Sequence, residues 1–115
     1  MSKEPMIIES HKGRYSVTFC ENGADYLVNN LPSKNYHIII DRRVAELYKN
    51  ELQPIISHTS VLEIEALESN KSLEVMPYYV THLVNRQIRR DDILIAIGGG
   101  IVQDITCFLA ATLLR

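Results

Sequence analysis

The sequence predicts an α/β domain in which a mostly parallel, Rossmann-like sheet is flanked by helices. Two apolar runs, residues 36–41 (YHIIID) and 93–97 (ILIAI), have the composition of strands buried on both faces of a parallel sheet. Helical spacing of apolar residues follows each run, and this alternation is typical of α/β folds. Ligands of such sheets gather at the carboxyl ends of the strands, where Asp41 and the glycines at 98–100 stand.

Local patterns predict the other elements in the first half of the chain. Residues 14–20 (RYSVTFC) alternate around β-branched and aromatic side chains, which predicts a first strand. Residues 21–32 predict a short helix closed by Pro32, and a second helix is expected over residues 42–52. The apolar side of that second helix consists of Val44, Leu47, Tyr48 and Leu52.

The second half contains a less regular strand and a clear helical stripe. Residues 60–68 (SVLEIEALE) predict a short strand, although its apolar residues do not strictly alternate. Residues 72–89 predict a helix with Pro77 in its first turn, where proline is tolerated. The apolar stripe of this helix consists of Met76, Val80, Leu83, Val84 and Ile88.

The last predicted helix, residues 101–114, is apolar on nearly every side, and such a helix expects protein around most of it. Because the sequence stops at Arg115, we expect either that a partner covers this helix or that the chain is the front part of a longer protein. An open sheet edge would add to the uncovered apolar surface, which predicts a homo-oligomer.

Composition restricts the class of protein and of partner. The chain has 115 residues, 46% hydrophobic and 23% charged, which suits at most one soluble globular domain. A net charge of −2 gives no general electrostatic reason to bind nucleic acid or an anionic membrane. We therefore expect small molecules or proteins as partners.

Cysteines, histidines and apolar runs point to a cytoplasmic protein without a metal site of its own. Cys20 and Cys107 lack metal-ligand spacing and are expected to be small buried hydrophobes of a reducing compartment. No signal peptide or membrane span is evident. The histidines also lack metal-binding spacing and are expected to be surface or hydrogen-bond-satisfied structural residues rather than metal ligands: His11, His37, His58 and His82.

Three consecutive glycines, Gly98, Gly99 and Gly100, stand where the strand at 93–97 passes into the last helix. Without a Cβ, such residues let an anion approach the main chain closely. The helix that follows offers unpaired N–H groups and the positive end of its dipole. A tight turn alone rarely needs three glycines, so the sequence favours a phosphate or pyrophosphate site.

Three ordered motifs resemble the N-terminal nucleotide-binding domain of 3-dehydroquinate synthase and related sugar phosphate cyclases. They are DRRVAELY from Asp41, ESNKSLE from Glu68, and DDILIAIGGGIVQDITCFLAATLLR from Asp91. The likeness covers most of residues 36–115, and where dehydroquinate synthases commonly carry glycine this chain has Gln103 and Cys107. The resemblance implies the front, nucleotide-binding part of a lyase of the shikimate pathway, incomplete relative to the full family fold.

The resemblance also implies NAD as cofactor and assigns roles to matching residues. Asp41 would accept hydrogen bonds from the adenosine ribose hydroxyls, and Glu68 and Lys71 would flank the adenosine side. Taken alone, Asp41 could equally be a helix N-cap. Likewise, Glu68 and Lys71 alone would be an ordinary solvated charge pair. Arg42 and Arg43 could tolerate a phosphate, so Arg43 is counted among the cofactor-binding residues and the choice between NAD and NADP stays open.

Along the last helix, the resemblance places Gly99, Gly100 and Ile101 with their backbone against the pyrophosphate. It places Asp104 at the nicotinamide and substrate edge. Taken alone, Asp104 could be an acid favoured in the first turn of a helix by the dipole.

In the full family, carbocycle formation from a sugar phosphate also needs a divalent metal, zinc or cobalt, held by one glutamate and two histidines of a helical C-terminal domain. These segments are not in the sequence, so the resemblance implies that this chain binds no metal, carries no catalytic residue and is inactive alone.

Two other functions stay open. Iron-dependent alcohol or glycerol dehydrogenases share a glycine turn followed by an acid, although a serine or lysine commonly stands there in the place of Ile101. The chain could also be a non-catalytic nucleotide-binding or oligomerisation module.

Overall fold

A computed structural model describes residues 6–10 and 13–114, which fall into two compact units, residues 1–31 and 32–115. In the first unit, strand β1 (Met6–Ser10) pairs antiparallel with strand β2 (Gly13–Val17). The predicted strand at 14–20 is thus confirmed only as far as Val17, and β1 was not predicted. His11 lies outside the described residues.

The short helix predicted before Pro32 is confirmed as α1 (Gly23–Asn29). Its start is fixed by Asn22, whose side-chain oxygen accepts a hydrogen bond from the Asp25 N–H at 3.1 Å. This is the usual role of asparagine at an N-cap, since it satisfies a donor that the helix leaves unpaired.

The second unit is built on a parallel sheet of three strands, which confirms the Rossmann-like α/β prediction. Strand β3 (Tyr36–Asp41) lies between β4 (Val61–Ile64) and β5 (Ile93–Ile97). Ile38, Ile39 and Ile40 of the central strand are fully buried. The helices are α2 (Arg42–Leu47), α3 (Gln53–Ile56), a 3₁₀ turn (Glu68–Lys71), α4 (Met76–Asn85) and α5 (Gly100–Leu113).

The core of the second unit joins the sheet to α4 and α5. The stripe predicted for α4 is confirmed at Met76 and Leu83, and Pro77 stands in the first turn as expected. Val84 is 54% exposed, and Tyr79, which was not predicted, is buried instead. The core cluster consists of Ile39, Ile64, Met76, Tyr79, Leu83, Val102, Ile105 and Leu109.

Several burial predictions were wrong. Strand β5 is not buried on both faces: it pairs only with β3 within the described residues, and its side chains are half-buried or exposed. Cys20 and Cys107 are exposed free thiols rather than buried. The helix expected over 42–52 ends at Leu47, beyond which the chain turns into α3.

The shortened helix changes which side chains are covered. Leu47 and Tyr48 are exposed, whereas Ala45 and Leu52 are buried. Helix α5 is covered along one stripe, while Phe108 is 40% exposed on another side. In the part of the chain that is described, no helix is both long and apolar enough to cross a membrane.

A buried polar cluster ties the amino ends of the three parallel strands together. The two ring nitrogens of His37 lie 2.6 Å from Ser60 Oγ and 2.8 Å from Asp92 Oδ2. Asp92 also accepts from Asn35 Nδ2 and from the Arg89 N–H. Burial raises the pKa of Asp92, but the hydrogen bonds from these groups outweigh it and hold that pKa below its ordinary value. His37 is therefore a structural residue, as expected.

The other two described histidines differ from each other. His58 is a structural residue as predicted, since its Nε2 lies 2.9 Å from the Tyr36 carbonyl oxygen. The Nε2 atom of His82, in contrast, is buried without a hydrogen-bond partner among the described residues. The expectation that each histidine is a surface or satisfied residue was wrong for His82.

Candidate functional site

The carboxyl ends of β3 and β5 bring Asp41 and Gly98 into contact. Asp41 ends β3 and caps α2, where its Oδ1 accepts a hydrogen bond from the Arg43 N–H at 2.8 Å. Gly98 follows β5 with a φ of +153°. A Cβ built on Gly98 would lie 3.1 Å from the Asp41 Cβ and 3.0 Å from Val102 Cγ2. A side chain at position 98 would therefore be strained by the backbone angle and crowded by these neighbours.

The next two glycines are open. A Cβ built on Gly99 or Gly100 would meet no described atom within 4 Å, so the fold itself does not require glycine at these positions. Helix α5 begins at Gly100, and its N-cap, Gly99, has no side chain to accept from the first N–H groups. The side chain of Ile101 packs against the core, and its backbone forms part of this first helical turn. The result is an accessible, positively polarised helix start that suits a phosphate.

The structure joins Lys71 to both predicted acids. Its Nζ atom lies 2.9 Å from Glu68 Oε1 and 3.1 Å from Asp104 Oδ2. Hydrogen bonds from Lys71 to Glu68 and then to Asp104 raise the lysine pKa above its ordinary value. Asp104 is the fifth residue of α5 and lies in its second turn. The preference for acidic residues in the first turn of a helix therefore does not account for an aspartate at this position.

A shallow cleft of about 420 Å³ lies beside Asp41, and sequence reasoning missed most of its lining. Arg42 does not project freely: its Nη1 lies 2.8 Å from Glu65 Oε1, and its Nε lies 3.9 Å from Glu63 Oε1. In the sequence, the one indication of these ion pairs was the presence of a glutamate on either side of the buried Ile64. The lining consists of Asp41, Arg42, Arg43, Glu46, Glu65, Ala66 and Leu67.

These groups fit a nucleotide. One oxygen of Asp41 is engaged with the Arg43 amide, and a carboxylate offers further acceptor positions for ribose hydroxyls. Next to it runs main chain with open space, followed by a helix start without a side-chain cap. No three histidine, cysteine or acidic side chains among the described residues are grouped to hold a metal ion. The metal implied by the resemblance therefore has no donor set in this region.

Comparison with known proteins agrees with the motifs. The sequence model described as 3-dehydroquinate synthase N-terminal matches residues 61–115. A 3-dehydroquinate synthase of Enterococcus faecalis is 40% identical over 82 residues, and one of Shewanella pealeana is 30% identical over an alignment of 121 positions that covers the whole chain. The chain belongs to the 3-dehydroquinate synthase family. A third member, from Dichelobacter nodosus, is 39% identical over 80 residues.

The likeness to the synthases concerns one part of those proteins. This chain spans 23% of the length of the Enterococcus protein, 33% of the Shewanella protein and 22% of the Dichelobacter protein. The stretch matched by the family's N-terminal model contains the glycine turn and the Glu68–Lys71–Asp104 cluster, whereas Asp41 lies before it.

Proposed function

We propose that this chain is the NAD-binding part of a 3-dehydroquinate synthase-like sugar phosphate cyclase. The observation that carries the proposal is the approach of the glycine turn to Asp41, with 3.1 Å between the Asp41 Cβ and a Cβ built on Gly98. A carboxylate suited to two vicinal ribose hydroxyls thus lies beside main chain that is open to a pyrophosphate. NAD, when bound, would supply the transient oxidation and re-reduction of the substrate.

Each residue of the candidate site has a role in this proposal. Asp41 binds the adenosine ribose, and the backbone of Gly99, Gly100 and Ile101 runs along the pyrophosphate. Lys71 supplies the nearby positive charge on the adenosine side, where Glu68 orients it by the ion pair at 2.9 Å. The remaining groups assigned to the cofactor are Arg43 in the cleft, Gly98 in the turn and Asp104 towards the nicotinamide.

The similarity to the synthases supports this function over that of an iron-dependent dehydrogenase. Carbocycle formation from a sugar phosphate is proposed only for a protein in which these residues are joined to the metal-bearing half of the family, because the described residues offer no donor set for a metal. By itself this chain is proposed to bind the nucleotide without completing the reaction. We propose that it acts in the cytoplasm.

Calorimetric titration with NAD and with ADP-ribose tests the proposal directly. Asp41→Asn keeps an N-cap side chain, because asparagine caps helices as well as aspartate does, but it removes the charge. We expect this variant to bind NAD about tenfold more weakly, the value of one charge-assisted hydrogen bond. Asp91→Asn, which removes an exposed acid at the amino end of β5, should bind like the wild type.

Gly100→Ala separates binding from folding. Because a Cβ there meets no described atom within 4 Å, the thermal unfolding midpoint of the variant should equal or exceed that of the wild type, and the variant should still bind NAD more weakly. A wild-type chain that binds neither NAD nor ADP-ribose would remove the basis of the proposed function. So would variants at Asp41 and Gly100 that bind as tightly as the wild type.

We also propose that the chain associates with itself. Phe108 is 40% exposed on α5, and β5 leaves one edge unpaired among the described strands. Uncovered apolar surface and an open strand edge both favour association. Light scattering should give a dimer or a larger species, and a stable monomer at all concentrations would contradict this.

A further inference from the structure

We propose that Glu65 determines which nucleotide the cleft accepts. By holding Arg42 in an ion pair, Glu65 biases the cleft towards a ribose with a free 2′-hydroxyl and against a ribose with a 2′-phosphate. This inference rests on the proposed function, since it concerns the ribose that Asp41 would bind. Glu65 acts through Arg42 and is therefore a positioning residue.

The ion pair follows from the pairing of two parallel strands. Asp41 at the end of β3 stands opposite Ile64 at the end of β4. Because side chains alternate along a strand, the residues on either side of the buried Ile64 lie away from the core. Glu63 and Glu65 occupy those positions, and Arg42 follows Asp41 directly. The register thus brings both carboxylates to the guanidinium, at 3.9 Å and 2.8 Å.

The charges of the cleft explain why this pair matters for specificity. An arginine beside the acid at a strand end can accommodate a 2′-phosphate in dinucleotide-binding folds, because a guanidinium binds phosphate through two parallel hydrogen bonds. Arg42 occupies that position in the sequence, but its charge is already compensated by Glu65. The other charged residues of the lining are Asp41, Arg43 and Glu46. A dianionic phosphate would meet more negative than positive charge there.

The pair can be removed without threatening the fold. The side chains of Arg42 and Glu65 are 49% and 53% exposed, and ion pairs of that exposure contribute little to stability. Changes in binding by variants at these positions therefore report on the cleft. The exposure also means that Arg42 can turn towards a ligand once Glu65 no longer holds it.

The test compares the affinities for NAD and NADP in four proteins: wild type, Glu65→Gln, Glu46→Gln and the double variant Arg42→Met/Glu65→Gln. We expect Glu65→Gln to move the ratio of the two affinities about tenfold towards NADP, since the freed guanidinium can bind the phosphate. Glu46→Gln is the matched control, because it removes the same charge from the same cleft, and no ion pair joins Glu46 to Arg42 within the described residues. It should move the ratio by no more than about twofold, the effect of one exposed charge.

The double variant isolates the part played by Arg42. Because the double variant removes one positive and one negative charge and leaves no guanidinium for the phosphate, its ratio should lie within about twofold of the wild-type ratio. An unchanged ratio in Glu65→Gln, a shift equal to that of Glu46→Gln, or a full shift in the double variant would each overturn the inference. These outcomes differ from failure of the proposed function, in which the wild type binds neither nucleotide.

Discussion

Replacing Gly98 by alanine should destabilise the second unit strongly. Backbone strain at the φ of +153° costs about 1–3 kcal/mol for a residue with a Cβ. The added methyl would also press on Val102 at 3.0 Å from its Cγ2 and 3.2 Å from its Cβ, and on the Asp41 Cβ at 3.1 Å; the two Cβ atoms are held by their own backbone. Overpacking of this kind costs about 1–3 kcal/mol more. Alanine returns up to about 1 kcal/mol by restricting the unfolded chain.

The net expectation is a loss of about 1–6 kcal/mol in the free energy of unfolding. Urea denaturation followed by far-ultraviolet circular dichroism measures it, with the fluorescence of the six tyrosines as a second probe. Gly100→Ala is the matched control, because it adds the same methyl in helical backbone with no described atom within 4 Å. That variant should be unchanged or up to about 1 kcal/mol more stable. Equal stabilities for the two variants would refute the assignment of strain and crowding to Gly98.

Three further predictions concern the buried groups of the second unit. Burial, and to a smaller extent the charges of Arg86 and His37, lowers the pKa of His82 below its ordinary 6.5. The unfolded state therefore binds more protons than the folded state just below that pH, and the free energy of unfolding should fall as the pH drops from about 6.5. Urea midpoints at pH 7.5 and 5.5 should show this fall in the wild type and a smaller one in His82→Leu; an equal fall would contradict it. Asp92→Ala should lower the free energy of unfolding by about 1–3 kcal/mol, because it leaves the buried His37 imidazole without its acceptor. Asp91→Ala, at an exposed position, should lower it by less than about 0.5 kcal/mol. Similar losses in the two variants would contradict the structural role of the cluster around His37. Leu109→Ala, at a fully buried position, should lower the free energy of unfolding by about 2–5 kcal/mol, whereas Leu73→Ala, at a position that is 77% exposed, should leave it almost unchanged. Equal melting temperatures of the two variants in calorimetry would contradict the core as described.

The central part of the fold could be predicted from the sequence because its signals are local. The apolar run at 36–41 and the strand-to-glycine transition at 98 each carry their own evidence within a few residues. Boundaries depend on tertiary packing and were less well predicted. The helix after Asp41 ends at Leu47, and only part of the predicted apolar side finds a buried surface: Leu52 is buried as predicted, whereas Leu47 and Tyr48 are exposed.

The partners of the candidate site residues could not be predicted in the same way. Glu65 reaches Arg42 from 23 residues away, and Asp104 reaches Lys71 across 33 residues. Both contacts exist only once strand register and helix docking are fixed. Composition cannot report them, because the same charges in another register would all be solvated. For the same reason, the two arginines after Asp41 leave the choice of nucleotide open in the sequence, and the role proposed for Glu65 rests on a contact that only the structure shows.

The cluster around His37 has a consequence for how faithfully the sheet assembles. Its contacts span 23 residues to Ser60 and 55 residues to Asp92, so it forms only when all three strands are in place. A sheet of isoleucine-rich strands has little in its apolar faces to distinguish one alignment from another shifted by two residues. A shifted alignment would bury the imidazole without its acceptor, at a cost of about 1–3 kcal/mol, which corresponds to misaligned sheets that are roughly 5- to 150-fold rarer. His37 thus favours the correct strand register from the amino ends of the strands. That register places Asp41 opposite Ile64 at the carboxyl ends.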